Sequence, residues 1–252
     1  MARFAVDPYA ARVHPGTATM SLADVVVAAA ILVLARPAGA EPVSLLGRTI
    51  DVRPPAGYCT LGSSPIEQTL ARLQREASEA TGEVIHIAVE CRELDEFVRG
   101  QRLLPSHWAE IVVLKARGVL KPVTGPREVF IAQVFGELPP RPVDLEAASR
   151  ELQAALRNPA LKLDSFEPVT IGRDERAAYL LTRIRAQYRS MTLDWRSLAA
   201  LTVVNELPLA LYVFEPMTET AASAEAQAAV LRDYLSRVVA VAPAMPASAA
   251  SR

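Results

Sequence analysis

The sequence predicts an α+β domain: an antiparallel sheet sandwiched by helices on both faces and closed by one disulfide. Three observations predict it. A capped helix and an apolar strand lie between the only two cysteines, Cys59 and Cys91. Four strand-like segments follow one another between residues 166 and 215, and an amphipathic helix closes the pattern over residues 223–241. Consecutive strands covered by separate helices define the α+β class.

With 252 residues, the chain is long enough for one full core, and a single domain over residues 41–241 fits between two dispensable ends. Val25–Ala35 is an unbroken apolar run of eleven residues, followed by Ala38-Gly39-Ala40, which has the small-x-small form of a signal-peptidase site. The run is short for a bilayer span. Residues 1–40 are therefore expected to be a signal peptide cleaved after Ala40. The alternatives are an uncleaved membrane anchor or a buried helix of a cytosolic protein. Arg3 and Arg12 lie far upstream of the run and Asp24 sits against it, so the positive flank is thin; translation starts at Met1 or at Met20. Residues 242–252, small residues and proline, read as a disordered tail.

A formal charge of −1 gives no global reason to expect nucleic acid or an acidic membrane as partner. Removing residues 1–40 takes away Arg3, Arg12 and Arg36 with Asp7 and Asp24, which leaves 24 basic groups against 26 acidic ones. Only Lys115, Lys121 and Lys162 are lysines, and beside the many alanines this reads as codon bias. In an oxidising compartment an even cysteine count favours a Cys59–Cys91 bridge, with two free buried thiols as the alternative. The cysteines and the three histidines (His14, His86, His107) show no ligand spacing, so no metal and no cofactor is expected.

Residues 41–48 read as an irregular lead-in and Thr49–Arg53 as a short strand stopped by Pro54-Pro55. Ser64-Pro65-Ile66-Glu67 joins a capping hydroxyl, a proline at the first helical position and a glutamate three residues past the cap. The helix beginning there is expected to bury Ile66, Leu70, Leu73, Ala77 and Ala80 and to end at Gly82. Val84–Val89 is a strand, with His86 on the Val84/Ala88 side. Leu94–Arg99 is a helical turn, Pro105–Trp108 a turn into the strand Trp108–Ala116, and Val129–Phe135 a further strand. Asp144 caps a helix to Arg157, with Leu145, Ala148, Leu152 and Leu156 on one face.

The four consecutive strands are Phe166–Ile171, Ala178–Arg189, Leu198–Val204 and Leu207–Glu215. Leu198–Val204 is apolar on both faces and is expected at the centre of the sheet. Asn205-Glu206 suits a two-residue turn at its asparagine, while the glutamate would fit a longer loop. The last helix covers Ser223–Val241, with Val230, Tyr234, Val238 and Val241 on one face.

This order of elements over residues 49–241 resembles the PsbP-like sandwich of an extrinsic photosystem II protein and of secreted bacterial proteins of unknown role. The residues that carry it are Gly57-Tyr58-Cys59, Glu90-Cys91 and the ending LTVVNELPLALYVFEP with its following helix. The resemblance implies a non-catalytic adaptor or assembly factor and transfers no binding residue to this chain.

The chemistry agrees with that implication. The sequence holds no Gly-x-Ser-x-Gly and no phosphate loop, and Ser63 and Ser64 are explained by the helix cap. Asp95-Glu96 and Asp174-Glu175 fall in turns or helix starts. Arg183, Arg185, Gln187 and Arg189 share one face of a strand, about 7 Å between alternate residues, and form the candidate surface for an envelope protein or a small anionic ligand; a hydrated face, or one crossed by carboxylate partners, explains them equally. Tyr212 and Phe214 are read as core aromatics. The function expected is an exported, periplasmic or secreted binding or assembly-factor domain of the cell envelope that meets a membrane only through an uncleaved N-terminal segment. The alternative is a periplasmic hydrolase-type enzyme using His86 or His107, against plainer readings of His86 as a hydrogen-bonded structural histidine and His107 as part of a surface turn.

Overall fold

The computed structural model describes residues 41–79, 81–137, 146, 149–150, 153, 161–188, 191–217 and 221–240, all within the unit Ala38–Arg252. The expectations for residues 1–40 and 242–252, and most of the helix begun at Asp144, lie outside these residues. Glu146, Ser149, Arg150 and Gln153 of that helix are described and are helical.

In chain order the elements are β1 (Glu41–Leu45), β2 (Arg48–Val52), β3 (Tyr58–Thr60), α1 (Pro65–Ser78), β4 (Gly82–Glu90), α2 (Cys91–Val98), β5 (Trp108–Ala116), β6 (Val119–Leu120), α3 (Arg127–Glu137), β7 (Leu161–Arg173), β8 (Ala178–Tyr188), β9 (Met191–Val204), β10 (Leu207–Pro216), α4 (Ala221–Ser236) and β11 (Val239–Ala240). The main sheet runs β3-β4-β5-β10-β9-β8-β7, with β6 attached to β5, and a second sheet runs β1-β2-β11. Every pairing is antiparallel. The chain is thus an α+β domain with one disulfide.

The larger core lies between the main sheet, α4 and the small sheet: Ile50 and Val52 meet Ile111, Leu209 and Leu211, with Leu231 and Tyr234 from the helix. On the opposite face α1 and α2 cover Val84, Ile87, Val89 and Val112. Farther along that face, α3 lies against β9, β8 and β7 and holds Arg127 Nε 3.0 Å from the Val203 carbonyl. The central, covered position expected for Leu198–Val204 is observed, since β9 lies between β10 and β8.

Five local expectations are corrected. Residues 41–45 form a strand because Leu46 and Gly47 both take positive φ (52° and 71°), which folds β1 back onto β2. α1 keeps its capping box but buries Glu67, Leu70 and Ala71, leaving Ile66 at 39% exposure and Ala77 exposed. It stops at Ser78, and Gly82 opens β4 instead. Val129–Phe135 belongs to helix α3: its β-branched and aromatic content suits a strand, but Pro126 accepts bonds from Val129 and Phe130 and starts a helix that turns Ile131 inward and leaves Val129 60% exposed. The last helix ends at Ser236, after which Val239–Ala240 pairs with β2.

The fifth correction concerns His86. The β4/β5 register slips between Val84 and His86 and leaves Ile85 without a partner in β5. Val84 therefore faces α1, whereas His86 turns to the other face and reaches Tyr234 of α4.

The Asn205-Glu206 turn stays at two residues, both with positive φ (49° and 63°). Glu206 is held there by Arg48 Nε (3.0 Å) and by the Val123 N–H on its carbonyl (2.7 Å). Asn205 Nδ2 donates to the Thr49 carbonyl. These bonds offset a conformation unfavourable to a side-chain-bearing residue.

Gly82 is required by close approach. A Cβ there would lie 2.3 Å from Val112 Cγ1 and 2.4 Å from the Val113 carbonyl oxygen. Because the second contact is backbone, β4 would have to move off β5. Gly82→Ala is expected to destabilise the domain by about 1–3 kcal/mol, read as a lower urea midpoint at unchanged slope; an unchanged midpoint would refute the close approach.

Candidate functional site

β3 pairs only with Ala88, Val89 and Glu90. After Thr60 the chain turns away, with one last bond from the Leu61 N–H to the Ile87 carbonyl, and enters α1 through the Ser64 cap. Among the described residues no strand covers Gly82–His86 on that side. A groove of about 710 Å³ runs between this open edge and α1, bordered by Thr60, Gln68, Arg72, Arg75, Ile85 and His86. A smaller hollow of about 300 Å³ continues it past Arg75 toward Gly82 and Glu83. Arg72 is paired with Glu76 at 2.9 Å.

His86 borders the groove yet is only 5% exposed. Its Nδ1 lies 2.5 Å from the Tyr234 hydroxyl and its Nε2 3.2 Å from Thr60 Oγ1. Tyr234 is fully buried and has no other acceptor among the described residues, so its O–H donates to Nδ1. That leaves Nε2 carrying the proton and donating to Thr60. Burial pushes the imidazole down to about 4. A ring in this state orients Thr60; it does not take a proton from it.

His107 sits outside the groove. Buried Glu93 accepts from the Ser106 N–H (2.6 Å), the His107 N–H (2.9 Å) and the His107 ring Nδ1 (2.9 Å), and pairs with Arg102 at 3.3 Å. Burial alone would push its carboxyl up, but these bonds hold it below the ordinary range. The cluster fixes the loop that delivers the chain into β5.

Cys59 and Cys91 are bonded (S–S 2.05 Å, Cα–Cα 5.0 Å), tying β3 to the first residue of α2. Of the arginine stripe, Arg183, Arg185 and Gln187 are exposed on one face of β8. Arg185 is ion-paired with Asp194 across the strand, at 2.8 and 3.3 Å; Arg189 lies outside the described residues. Trp108 stacks on Phe214, which stacks on Tyr212, and Trp195 meets Trp108 edge-on; all four are half-buried. Among the described residues no group of acidic, histidine or cysteine side chains could hold a metal ion, and no helix is long and apolar enough to cross a membrane.

Glu110 was not anticipated. It faces the α1 side of β5, between Ile87 and Tyr212 of the neighbouring strands, and its Oε2 is enclosed without a partner. Burial pushes it up to about 8, so it is a neutral acid at physiological pH and does not border the groove. The sequence carried a signal for it: Trp108, Glu110 and Val112 are alternate residues of one apolar strand.

Glu110 and His86 act oppositely on stability. Folded Glu110 keeps its proton up to about pH 8, whereas its ordinary value is 4.5, so stability falls as pH rises through that window. Folded His86 stays neutral down to about pH 4 against an ordinary 6.5, so stability falls as pH drops through that window. The two effects cancel where the windows overlap. From pH 6.5 to 8 a net loss of roughly 2 kcal/mol is left, at about 1.4 kcal/mol per unit. Glu110→Gln should remove that alkaline loss and expose the acid-side rise belonging to His86. Parallel urea-midpoint profiles for the two proteins would refute the assignment.

No known protein family matches the sequence, and no curated protein matches it. Solved structures of the Saccharomyces cerevisiae Ran-binding protein Mog1p and of a point mutant of protein Mog1 are similar at 14% identity. They cover 79% of this chain and 94% and 95% of their own chains, each with a TM-score of 0.32. At that level the likeness says nothing about this chain's partners or site.

Proposed function

We propose that this chain is an exported, non-catalytic binding or assembly-factor domain of the cell envelope, periplasmic or secreted, released from a signal peptide and of PsbP-like type. The observation that carries the reading is the Cys59–Cys91 bond, a cross-link that belongs to oxidising compartments. The closed tautomer of His86 supports a binding rather than a proton-transfer role for the groove beside it. The partner is an envelope protein or a small anionic ligand. Two surfaces are available to it, the groove along β4 and the stripe on β8, where Arg183 and Gln187 flank the Arg185–Asp194 pair.

A pull-down of the mature domain from its own envelope extract tests this reading. A specific partner is expected, and recovery of none would contradict it. Equal recovery by a variant with Arg183, Arg185 and Arg189 all replaced by alanine would discard the stripe.

A hydrolase-type reading has one observation in its favour: His86 and His107 each have a hydroxyl or carboxylate partner within hydrogen-bond reach. It requires activity on a generic ester or peptide substrate that His86→Ala or His107→Ala abolishes while the fold survives. Activity unchanged in both variants would remove it.

A further inference from the structure

We propose that the groove beside α1 takes an extended, acidic segment of a partner protein, which adds a strand to β4 in the line that β3 leaves at Thr60. The inference rests on the binding-domain reading and names the site and the chemistry of its occupant. The open edge, Gly82–His86, is long enough for a strand segment of about 16 Å at 3.3 Å per residue. Ile85 lies within it and has no partner residue in the β5 register.

The two ends of the sheet are treated differently. At the other end, β7 carries Pro168 and two register shifts, devices that keep an edge from pairing with another chain. The β4 edge has no proline. It is flanked instead by α1, across the groove of about 710 Å³. A helix standing beside an open strand is the arrangement by which domains capture peptides through main-chain hydrogen bonds, with side-chain pockets supplying specificity.

Charge sets the class of occupant. Among the described residues Arg72 and Arg75 are the ionised side chains bordering the larger groove, and no carboxylate borders it. The smaller hollow toward Gly82 is bordered by Arg75 and Lys115 together with Glu76, Glu79 and Glu83. The acidic residue of the occupant therefore lies at the Ile85–His86 end. Arg72 is engaged by Glu76, whereas Arg75 has no ion-pair partner among the described residues. A carboxylate on the incoming strand would meet Arg75 with a charge-assisted hydrogen bond. Thr60, whose oxygen is occupied by the His86 ring, keeps its own O–H to donate into the groove.

The test is an amide chemical-shift titration of the full chain with three peptides. They are acetyl-Val-Asp-Val-Glu-Val-amide, its counterpart with lysine at both acidic positions, and the acidic peptide N-methylated at alternate residues. The acidic peptide should shift amides of Gly82–Ile87 and of Gln68–Arg75. The lysine and N-methylated peptides should bind about tenfold more weakly, and Arg75→Ala, a surface change on α1, should weaken the acidic peptide about tenfold.

Absence of shifts at millimolar peptide, shifts centred elsewhere, or equal binding of the N-methylated peptide would overturn the proposal. So would self-association that protects the same amides without peptide, since the occupant would then be a second copy. If wild type and Arg75→Ala recover the same partner from extract, the groove is refuted and the binding-domain reading stands. If neither recovers a partner, that broader reading falls while the titration still judges the groove.

Discussion

Arg196→Ala is expected to cost about 3–5 kcal/mol of stability, among the largest effects of a single side chain in this domain. The Arg196 side chain is 9% exposed and its ion-pair partner Glu215 12%. Its guanidinium also donates to Gln227 Oε1 at 2.8 Å and to Ser223 Oγ at 3.0 Å, so one side chain ties β9 and β10 to α4. Gln227 completes the tie by donating to the Arg196 and Val213 carbonyls at 3.1 and 2.8 Å. Removing the arginine leaves Glu215 enclosed without its cation and strands the Gln227 acceptor. The pair itself need not be worth that much, because two buried charges cost desolvation when they are brought together. Arg196→Met with Glu215→Leu should therefore recover the part of the loss that comes from enclosing Glu215 without its cation, while the stranded Gln227 acceptor keeps the rest. Urea midpoints of the single and double variants decide the matter; a single variant within about 1 kcal/mol of wild type would mean the network carries no load.

Reduction of the disulfide, or Cys59→Ser with Cys91→Ser, is expected to cost about 3.7 kcal/mol, the loop-entropy value for a separation of 32 positions. That is a large part of the net stability of an ordinary domain. The loss should start locally. β3 holds only three pairings on β4, and without the bond to Cys91 its hold on the edge depends on them and on the Leu61 and Cys91 N–H bonds. Amide exchange should thus accelerate at residues 58–61 and in the first turn of α2 before the rest of the sheet is affected. Equal urea midpoints with and without reductant would contradict this.

Much of the architecture was legible in the sequence because it rests on local rules. The Ser64 cap, the alternation that places Arg183, Arg185 and Gln187 outward, the two-sided apolarity of Leu198–Val204 and the left-handed asparagine at 205 are each decided within a few residues. The failures share a cause: tertiary contacts overrode local preference. Val129–Phe135 has strand composition, but Pro126 and the sheet beneath it make a helix. Gly82 was assigned to ending α1, whereas the approach of Val112 and Val113 dictates it. One extra residue at Ile85 turned His86 to the opposite face, a register event that alternation alone cannot announce.

The candidate site was legible only in part. The Cys59–Cys91 staple and the exposure of the β8 arginines follow from the chain pattern. The groove does not, because it depends on where β3 stops relative to β4, a fact of pairing rather than of composition. Arg72 and Arg75 lie off the apolar spacing of α1, and facing away from that stripe here means facing the open edge. Glu110 and Arg196, polar groups placed within apolar strands, mark positions where the fold carries a cost that sequence periodicity locates but does not explain.

The central claim, an exported domain closed by its own disulfide, is tested most directly by the intact mass of the protein isolated from its native host under thiol-alkylating conditions. A chain beginning at Glu41, two hydrogens lighter than its thiol form and taking up no alkylating group, is the expected result. A chain that retains Met1 or Met20 and takes up two alkylating groups would contradict it.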